Sequence, residues 1–230
     1  MKKLIWVIII VFIAGLIAVF NVDVNTRQGV NYKWHTIKIP LGLKILDFFD
    51  RHYNYKVLVK RIIKDSKNDT ERALKIFEWT YKNIRRTPED FPVIDDHVWH
   101  IIVRGYGVKD QYSDVFTTLC NYAGIEAFYT CIRSSSQKQK IALSFLKIEG
   151  KWSVFDPYRG IYFKNKDGDF ASVEEIKSGA ISMESLGGKP DIDYAVYFCN
   201  LPSVKNAGLN RANIQSPLNR LLYELKKVKK

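Results

Sequence analysis

The sequence predicts an α+β domain held behind a membrane-spanning helix, and three observations carry that expectation. The first is an uncharged N-terminal run from Leu4 to Val22. The second is a series of amphipathic helical patterns in the first half of the remaining chain. The third is a group of short, β-rich segments with tight turns between them in the second half. Helices that precede strands, instead of alternating with them, are the mark of an α+β domain built on an antiparallel sheet.

The N-terminal run lies between Lys3 and Asp23 and consists mainly of Leu, Ile, Val, Phe and Ala. A helix of that length rises about 28 Å, enough to cross the hydrocarbon core of a bilayer. A single segment in lipid satisfies its backbone polar groups only as a helix. The Met1-Lys2-Lys3 flank favours a cytoplasmic N-terminus, so a single-pass protein with an extracytoplasmic domain is expected. Trp6 stands where an interfacial aromatic would. Two alternatives are a cleaved signal peptide and a buried core helix. The run is long for a signal peptide, and Ala18-Val19-Phe20-Asn21 offers no small-x-small cleavage site. Core helices rarely run this far without a charge.

Four regions are expected: an anchor over 1–22, a linker and lead-in helix over 23–69, the main domain over 70–205, and a basic C-terminal helix over 206–230. With 47% hydrophobic residues, 13 Tyr and 13 Phe, the chain has core material for one domain. The net charge of +12 suits anionic neighbours beyond the membrane, such as lipid headgroups, an anionic glycan or a membrane protein complex. No nucleic-acid partner is expected on that side of a membrane. Cys120, Cys131 and Cys199 are an odd set in apolar stretches, which reads as buried free thiols, with one bridged pair left open. No metal-ligand spacing, phosphate-binding glycine loop or nucleophile elbow occurs, so neither a metal nor a cofactor is expected.

Residues 21–42, with Asn, Gly and Pro40, read as the linker. Leu43 to Asp65 has a helical apolar pattern. Asn68, Asp69 and Thr70 offer caps for a helix over 71–84. Trp99 and His100 come next, then a turn at Gly105-Tyr106-Gly107. The next helix spans 110–123, with Val115, Phe116, Leu119 and Tyr122 inward and Gly124 as its stop. Strands are expected over 127–133, 141–148, 151–155 and 161–163, with Glu149-Gly150 as a hairpin turn. Tyr194–Leu201 reads as a further strand or the start of the C-terminal element. Ser216-Pro217 opens the tail helix, whose Leu218, Leu221, Leu222, Leu225 and Val228 form one stripe. That stripe packs on its own domain or lies on an anionic membrane surface.

Two blocks carry a more specific signal. One runs from Arg104 through Gly105-Tyr106-Gly107-Val108-Lys109-Asp110 to Leu119-Cys120-Asn121-Tyr122-Ala123-Gly124-Ile125. The other runs from Leu143 through Gly150-Lys151-Trp152 to Phe155-Asp156-Pro157-Tyr158-Arg159-Gly160. Together they resemble the transglutaminase-like superfamily, whose fold is shared with papain-type thiol enzymes. The resemblance covers about residues 70–163. It implies a central helix packed on an antiparallel sheet, with a cysteine at the helix start, a histidine opening the next long strand and an aspartate on the strand after that. A thiol at a helix N-terminus is acidified by the unpaired N–H groups, the histidine moves its proton, and the carboxylate orients the histidine.

The departures decide what the resemblance implies for function. The nucleophile position is Lys109, the histidine position is Ile141, and only the aspartate persists, as Asp156. Lysine is protonated near neutral pH and isoleucine has no proton to move, so the thiol route is closed. Asp156, at a strand end before Pro157, reads as structural, accepting backbone or Trp N–H bonds or pairing with an arginine. The alternative is a Lys109–Asp156 contact across the site, in which a carboxylate offsets the cost of a lysine at a helix N-terminus. Trp99, Tyr106, Tyr112 and Tyr158 are the candidate groove residues, offering flat faces to a sugar ring or peptide. Cys131 reads as core, and Ser113 and Ser144 lie near the groove without an evident base. His97 or His100 could reach the cleft. The expected function is a membrane-anchored pseudoenzyme that binds or scaffolds, possible settings being the cell envelope or polysaccharide assembly. The alternatives are an active hydrolase or transferase with rearranged catalytic residues, and a purely structural module.

Overall fold

The protein is described by a computed structural model covering residues 2–95, 97–135, 139–179, 181–188 and 190–204, together with Ser216, Leu218, Leu222 and Leu225. Apart from those four positions, the basic C-terminal helix lies outside the described residues. The three leucines are helical and exposed.

The N-terminal run forms helix α1 (Lys2–Phe20), long and apolar enough to cross a membrane, and none of its Lys3–Phe20 stretch is buried against the rest of the chain. The segment expected to be a linker is a β-hairpin instead. Strands β1 (Asp23–Val30) and β2 (Lys33–Pro40) pair antiparallel along their whole length, from Asp23 opposite Pro40 to Val30 opposite Lys33. Asn31 and Tyr32 close it with φ of 50° and 64°, the two left-handed residues of a hairpin turn whose twist matches its strands. Helix α2 (Leu41–Ile62) comes next, starting two residues before its expected position. Its Tyr55 and Val59 enter the main core, so α2 is part of the folded unit and not merely a lead-in.

Helix α3 (Asp69–Asn83) starts where the sequence places its caps, and the Asn68 side chain accepts the Glu71 N–H at 2.8 Å. Short strands β3 (Arg85–Arg86) and β4 (Ile94–Asp95), helix α4 (Val98–Arg104) and strand β5 (Tyr106–Gly107) lead to the central helix α5 (Lys109–Tyr122). β4 pairs with β1 and so ties the hairpin to the domain. Beyond α5 come β6 (Ala127–Arg133), β7 (Lys140–Ile148), β8 (Lys151–Asp156), β9 (Ile161–Lys164), helix α6 (Val173–Ser178), β10 (Ser182–Ser185) and the short helix α7 (Ala195–Phe198). Strands β6 to β10 form an antiparallel sheet in the order β10-β9-β8-β7-β6. The Tyr194–Leu201 stretch is therefore neither strand nor tail. It supplies α7, which covers one face of the sheet.

β7 is buried on both faces, and its residues divide between two cores. Leu146 and Ile148 join Ala127 and Phe155 against Phe77, Val115, Phe116 and Leu119 of the helices. Ile141, Leu143 and Phe145 join Trp152, Val154 and Phe163 against Val173, Ile176, Tyr194 and Tyr197. The period of two along a strand produces this split. Phe77 is the hub of the first core, with ring centroids 5.4 Å from Phe116 and 5.5 Å from Phe155. Cys120 is buried there, and burial pushes its thiol well up. Cys131 and Cys199, expected to be buried, are exposed, and all three cysteines are free. Cys131 sits on β6, the edge strand of this sheet among the described residues.

Between β8 and β9 the chain turns at Gly160, with φ of 66°. A Cβ there would fall 2.8 to 3.1 Å from the Tyr81 ring. Gly160→Ala combines a left-handed backbone with that clash, and is expected to cost about 2 kcal/mol in urea unfolding. A loss of a few tenths would show that the ring simply moves aside.

Candidate functional site

The site is organised by the N-terminus of α5. Val108 caps it with extended backbone, and its N–H donates to Gln111 Oε1 at 3.1 Å. Gln111 Nε2 in turn donates to the Ile94 carbonyl at 2.6 Å, and Arg104 Nη2 reaches the same carbonyl at 3.0 Å. Arg104 Nε also holds the Tyr106 carbonyl, at 3.1 Å. The loop before α5 is thereby locked to β4. Gly105 has φ of 71° and ends α4 in the left-handed conformation. Gly107 serves differently: a Cβ there would lie 3.0 Å from Gln111 Oε1, so its role is close approach.

Lys109 is the first residue of α5 and lines a cleft of about 600 Å3. The cleft's other walls include Arg86 and Thr87, Asp95, Asp110, Tyr158, and Gly29, Tyr32 and Trp34 from the hairpin. Tyr32 and Trp34 are 86% and 67% exposed. Arg86 lies over the Tyr158 ring at 4.7 Å and Arg159 at 5.6 Å. The cations Lys109 and Arg86, the carboxylates Asp95 and Asp110, and several aromatic faces thus meet in one recess.

The other three candidate groove residues do not line this cleft. Tyr112 is buried and packs edge-on to Tyr158 at 5.2 Å. Burial pushes its hydroxyl above the ordinary phenol range. Tyr106 packs against Phe91 at 5.5 Å, and Trp99 packs edge-on to Tyr55 at 5.5 Å. His97 and His100 stand 5.8 Å apart at the start of α4, and both are exposed. Ser113 and Ser144 are fully buried, the Ser113 hydroxyl donating to the Ala142 carbonyl at 3.4 Å.

Ile141 is 3% exposed and belongs to the second core. Asp156 is fully buried at the end of β8. Its Oδ1 accepts the Arg159 N–H at 3.1 Å, and its Oδ2 accepts Arg159 Nη1 at 3.2 Å and the Tyr194 hydroxyl at 2.7 Å. Burial lifts this carboxyl above its ordinary range, against the opposing pull of Tyr194 and Arg159. Of the two readings of Asp156, the backbone and arginine partners are present, both from Arg159, and the Lys109–Asp156 contact does not form. The described partners of the carboxylate are Arg159 and Tyr194, and Arg159 extends the chain of contacts to Asp191 at 2.6 Å. No local pattern announces the Tyr194 and Asp191 partners, because they lie far along the chain in a stretch without clear periodicity.

A central helix that offers its N-terminus to a cleft, with a long antiparallel pair behind it ending in a buried aspartate, defines an α+β fold of the papain-like class. Residues 56–157 match the family model of the transglutaminase-like superfamily, and that segment, which supplies Arg86, Lys109 and Asp110 to the cleft, belongs to that superfamily. Three solved structures are similar in outline. One is a candidate cysteine protease from Cytophaga hutchinsonii, 18% identical, with a TM-score of 0.41 over 62% of this chain and 51% of that one. Another is a candidate protease from Parabacteroides distasonis, 12% identical, with a TM-score of 0.36 over 58% and 35% of the two chains. The third is a TGase, 10% identical, with a TM-score of 0.38 over 58% and 43%. The chain therefore spans about half or less of the length of these proteins. No curated protein is similar enough to match.

Proposed function

We propose that this chain is a membrane-anchored transglutaminase-like pseudoenzyme, whose cleft binds a ligand on the extracytoplasmic side without converting it. The observation that carries this reading is Lys109 at the first position of α5, where the family resemblance puts the nucleophile. The thiol that would attack an acyl carbon is absent from that position, which carries an amine instead. Ile141 supplies no base, and Asp156 spends its oxygens on Arg159 and Tyr194. What the site keeps is recognition: a recess with donors, acceptors and exposed aromatic faces, the features of a binding site. The +12 charge and the apolar α1 are consistent with a role at the cell envelope, in polysaccharide or surface-complex assembly.

The test is an assay of the purified full chain for amine incorporation into a glutamine peptide and for peptide hydrolysis. No product above the buffer rate is expected. Turnover that His97→Ala or His100→Ala abolishes would overturn the reading in favour of a rearranged hydrolase or transferase.

A further inference from the structure

Helix α2 presents a face that its own domain does not cover. Tyr55, Val59, Leu58 and Ile62 turn inward to the first core. On the outward side Leu43, Leu46, Phe49, Tyr53 and Val57 recur at steps of three and four, and each is between 45% and 67% exposed. That spacing puts five large apolar side chains on one stripe. A soluble surface scatters such residues singly and rarely lines them up. Two carboxylates adjoin the stripe: Asp50, which accepts the Asn54 amide at 2.9 Å, and Asp47, which lies 3.9 Å from the Arg51 guanidinium.

The position of the stripe identifies what covers it. The first turn of α2 is pinned to the end of α1: the Leu41 N–H donates to the Val22 carbonyl at 2.8 Å. Gly42 sits so close to Phe20 that a Cβ would fall 2.6 Å from its ring and 3.1 Å from its carbonyl oxygen. The apolar stripe therefore begins where the membrane-spanning segment ends. Toward its far end α2 carries exposed Lys56, Lys60 and Arg61. Leucines and a phenylalanine nearest the span, then a tyrosine, then cations, is the order of a helix that enters the boundary between acyl chains and anionic headgroups.

We infer that α2 is a second membrane contact, laid by its Leu43–Val57 stripe into the interface of the bilayer that α1 crosses. This rests on the anchor reading of α1. The contact would fix the domain against the surface, so that the cleft, whose hairpin wall joins α1 to α2, opens at a set height above the lipid.

The test uses the full chain with Cys131→Ser and Cys199→Ser, which leaves only the buried Cys120. Single cysteines at Ile10, Leu46, Tyr53 or Glu174 carry a nitroxide. Glu174 is exposed on α6, which packs on the sheet face opposite the one that α2 shares. The protein is reconstituted in phosphatidylcholine vesicles containing phosphatidylglycerol, and collisions with oxygen and with a water-soluble nickel chelate are measured. Labels at Leu46 and Tyr53 are expected to be severalfold less accessible to nickel than the label at Glu174, and to favour oxygen, as at Ile10. If both are as open to nickel as Glu174 while Ile10 stays in lipid, the inference fails and the anchor stands. If Ile10 is also open to nickel, the anchor reading fails and takes this one with it. If Leu46 is shielded but shows dipolar broadening that unlabelled protein removes, a second copy covers the stripe, and the inference is overturned.

Discussion

Asp156→Ala is expected to destabilise the domain by about 4 kcal/mol, measured as the loss of unfolding free energy in urea. The substitution strips both acceptor oxygens from a buried junction. The Tyr194 hydroxyl loses its partner at 2.7 Å inside the second core, and Arg159 loses two bonds while its own side chain is only 8% exposed. A buried guanidinium with less compensation is the costly product of breaking such a pair, more than the loss of attraction itself. Arg159 retains Asp191 at 2.6 Å, which limits the damage. The junction also joins the end of β8 to the start of α7, so its loss should loosen the cover of the second core.

Asp156→Asn separates charge from hydrogen bonding. Burial raises the carboxyl above its ordinary range even with a phenol and a guanidinium attached, so ionisation is disfavoured on balance in the folded protein. An amide keeps an acceptor for the Arg159 N–H and can still meet Tyr194, and its expected cost is about 1 to 2 kcal/mol. The pH dependence has a definite sign. A carboxyl whose folded pKa is raised gives the folded state an advantage that is fully present below the unfolded value, near pH 4. That advantage is lost as pH rises through the folded value. The stability gap between the native chain and the asparagine variant should therefore narrow from acid toward neutral pH. An asparagine variant as damaged as the alanine variant at pH 7 would show that the charge, and not the bonding pattern, holds the junction.

How much of this fold is legible in the sequence depends on whether the signal is local. α3 is readable because it carries its own cap and an apolar face of helical period, and α5 because its apolar face ends at Gly124. The β7–β8 hairpin is readable because Glu149-Gly150 suits left-handed backbone, and takes it at φ of 51° and 81°. The β1–β2 hairpin is not. Its turn is Asn31-Tyr32, without the glycine that usually marks it, and β2 is solvated along most of its length, so no buried face imposes an alternation. α6 does have a local signal, a Ser172–Glu175 capping box in which the Glu175 N–H donates to the Ser172 hydroxyl at 3.2 Å. The helix behind it has only 6 residues, too few to show a period. The cleft is half legible. Lys109 and Tyr158 lie within the family pattern, but Trp34 and Tyr32 come from a segment with the composition of a linker. Only the pairing of β1 with β4 brings them to the site. Tertiary pairing of that kind leaves no trace in a periodicity.

Lys109→Cys tests how much of the family's thiol chemistry the scaffold would still support. The new thiol would sit at the first position of a helix of 14 residues, beside first-turn N–H groups that have no acceptor earlier in the helix. Arg86 lines the same cleft and favours a thiolate, whereas Asp110 opposes it. Helix N-termini bring thiols well below their free value, so alkylation by iodoacetamide at pH 6.5 is expected about tenfold faster than at exposed Cys131. Reactivity should stop short of turnover, even with Ile141→His added. Position 141 is packed in the second core with Ile132, Leu143 and Tyr197, so an imidazole there must displace core contacts before it can take a proton. The aspartate that would orient it is already held by Tyr194 and Arg159. Adding Tyr194→Phe frees Oδ2 of one bond, but position 141 lies on the second-core face of the sheet, opposite the face that α5 packs on, so no acyl-enzyme burst is expected there either. A burst in the double variant, before Tyr194 is changed, would mean that the Asp156 network yields easily and that the scaffold needs only these two side chains for thiol chemistry. A thiol at 109 no faster than Cys131 would remove the premise that the N-terminus of α5 faces the cleft as a usable electrostatic site.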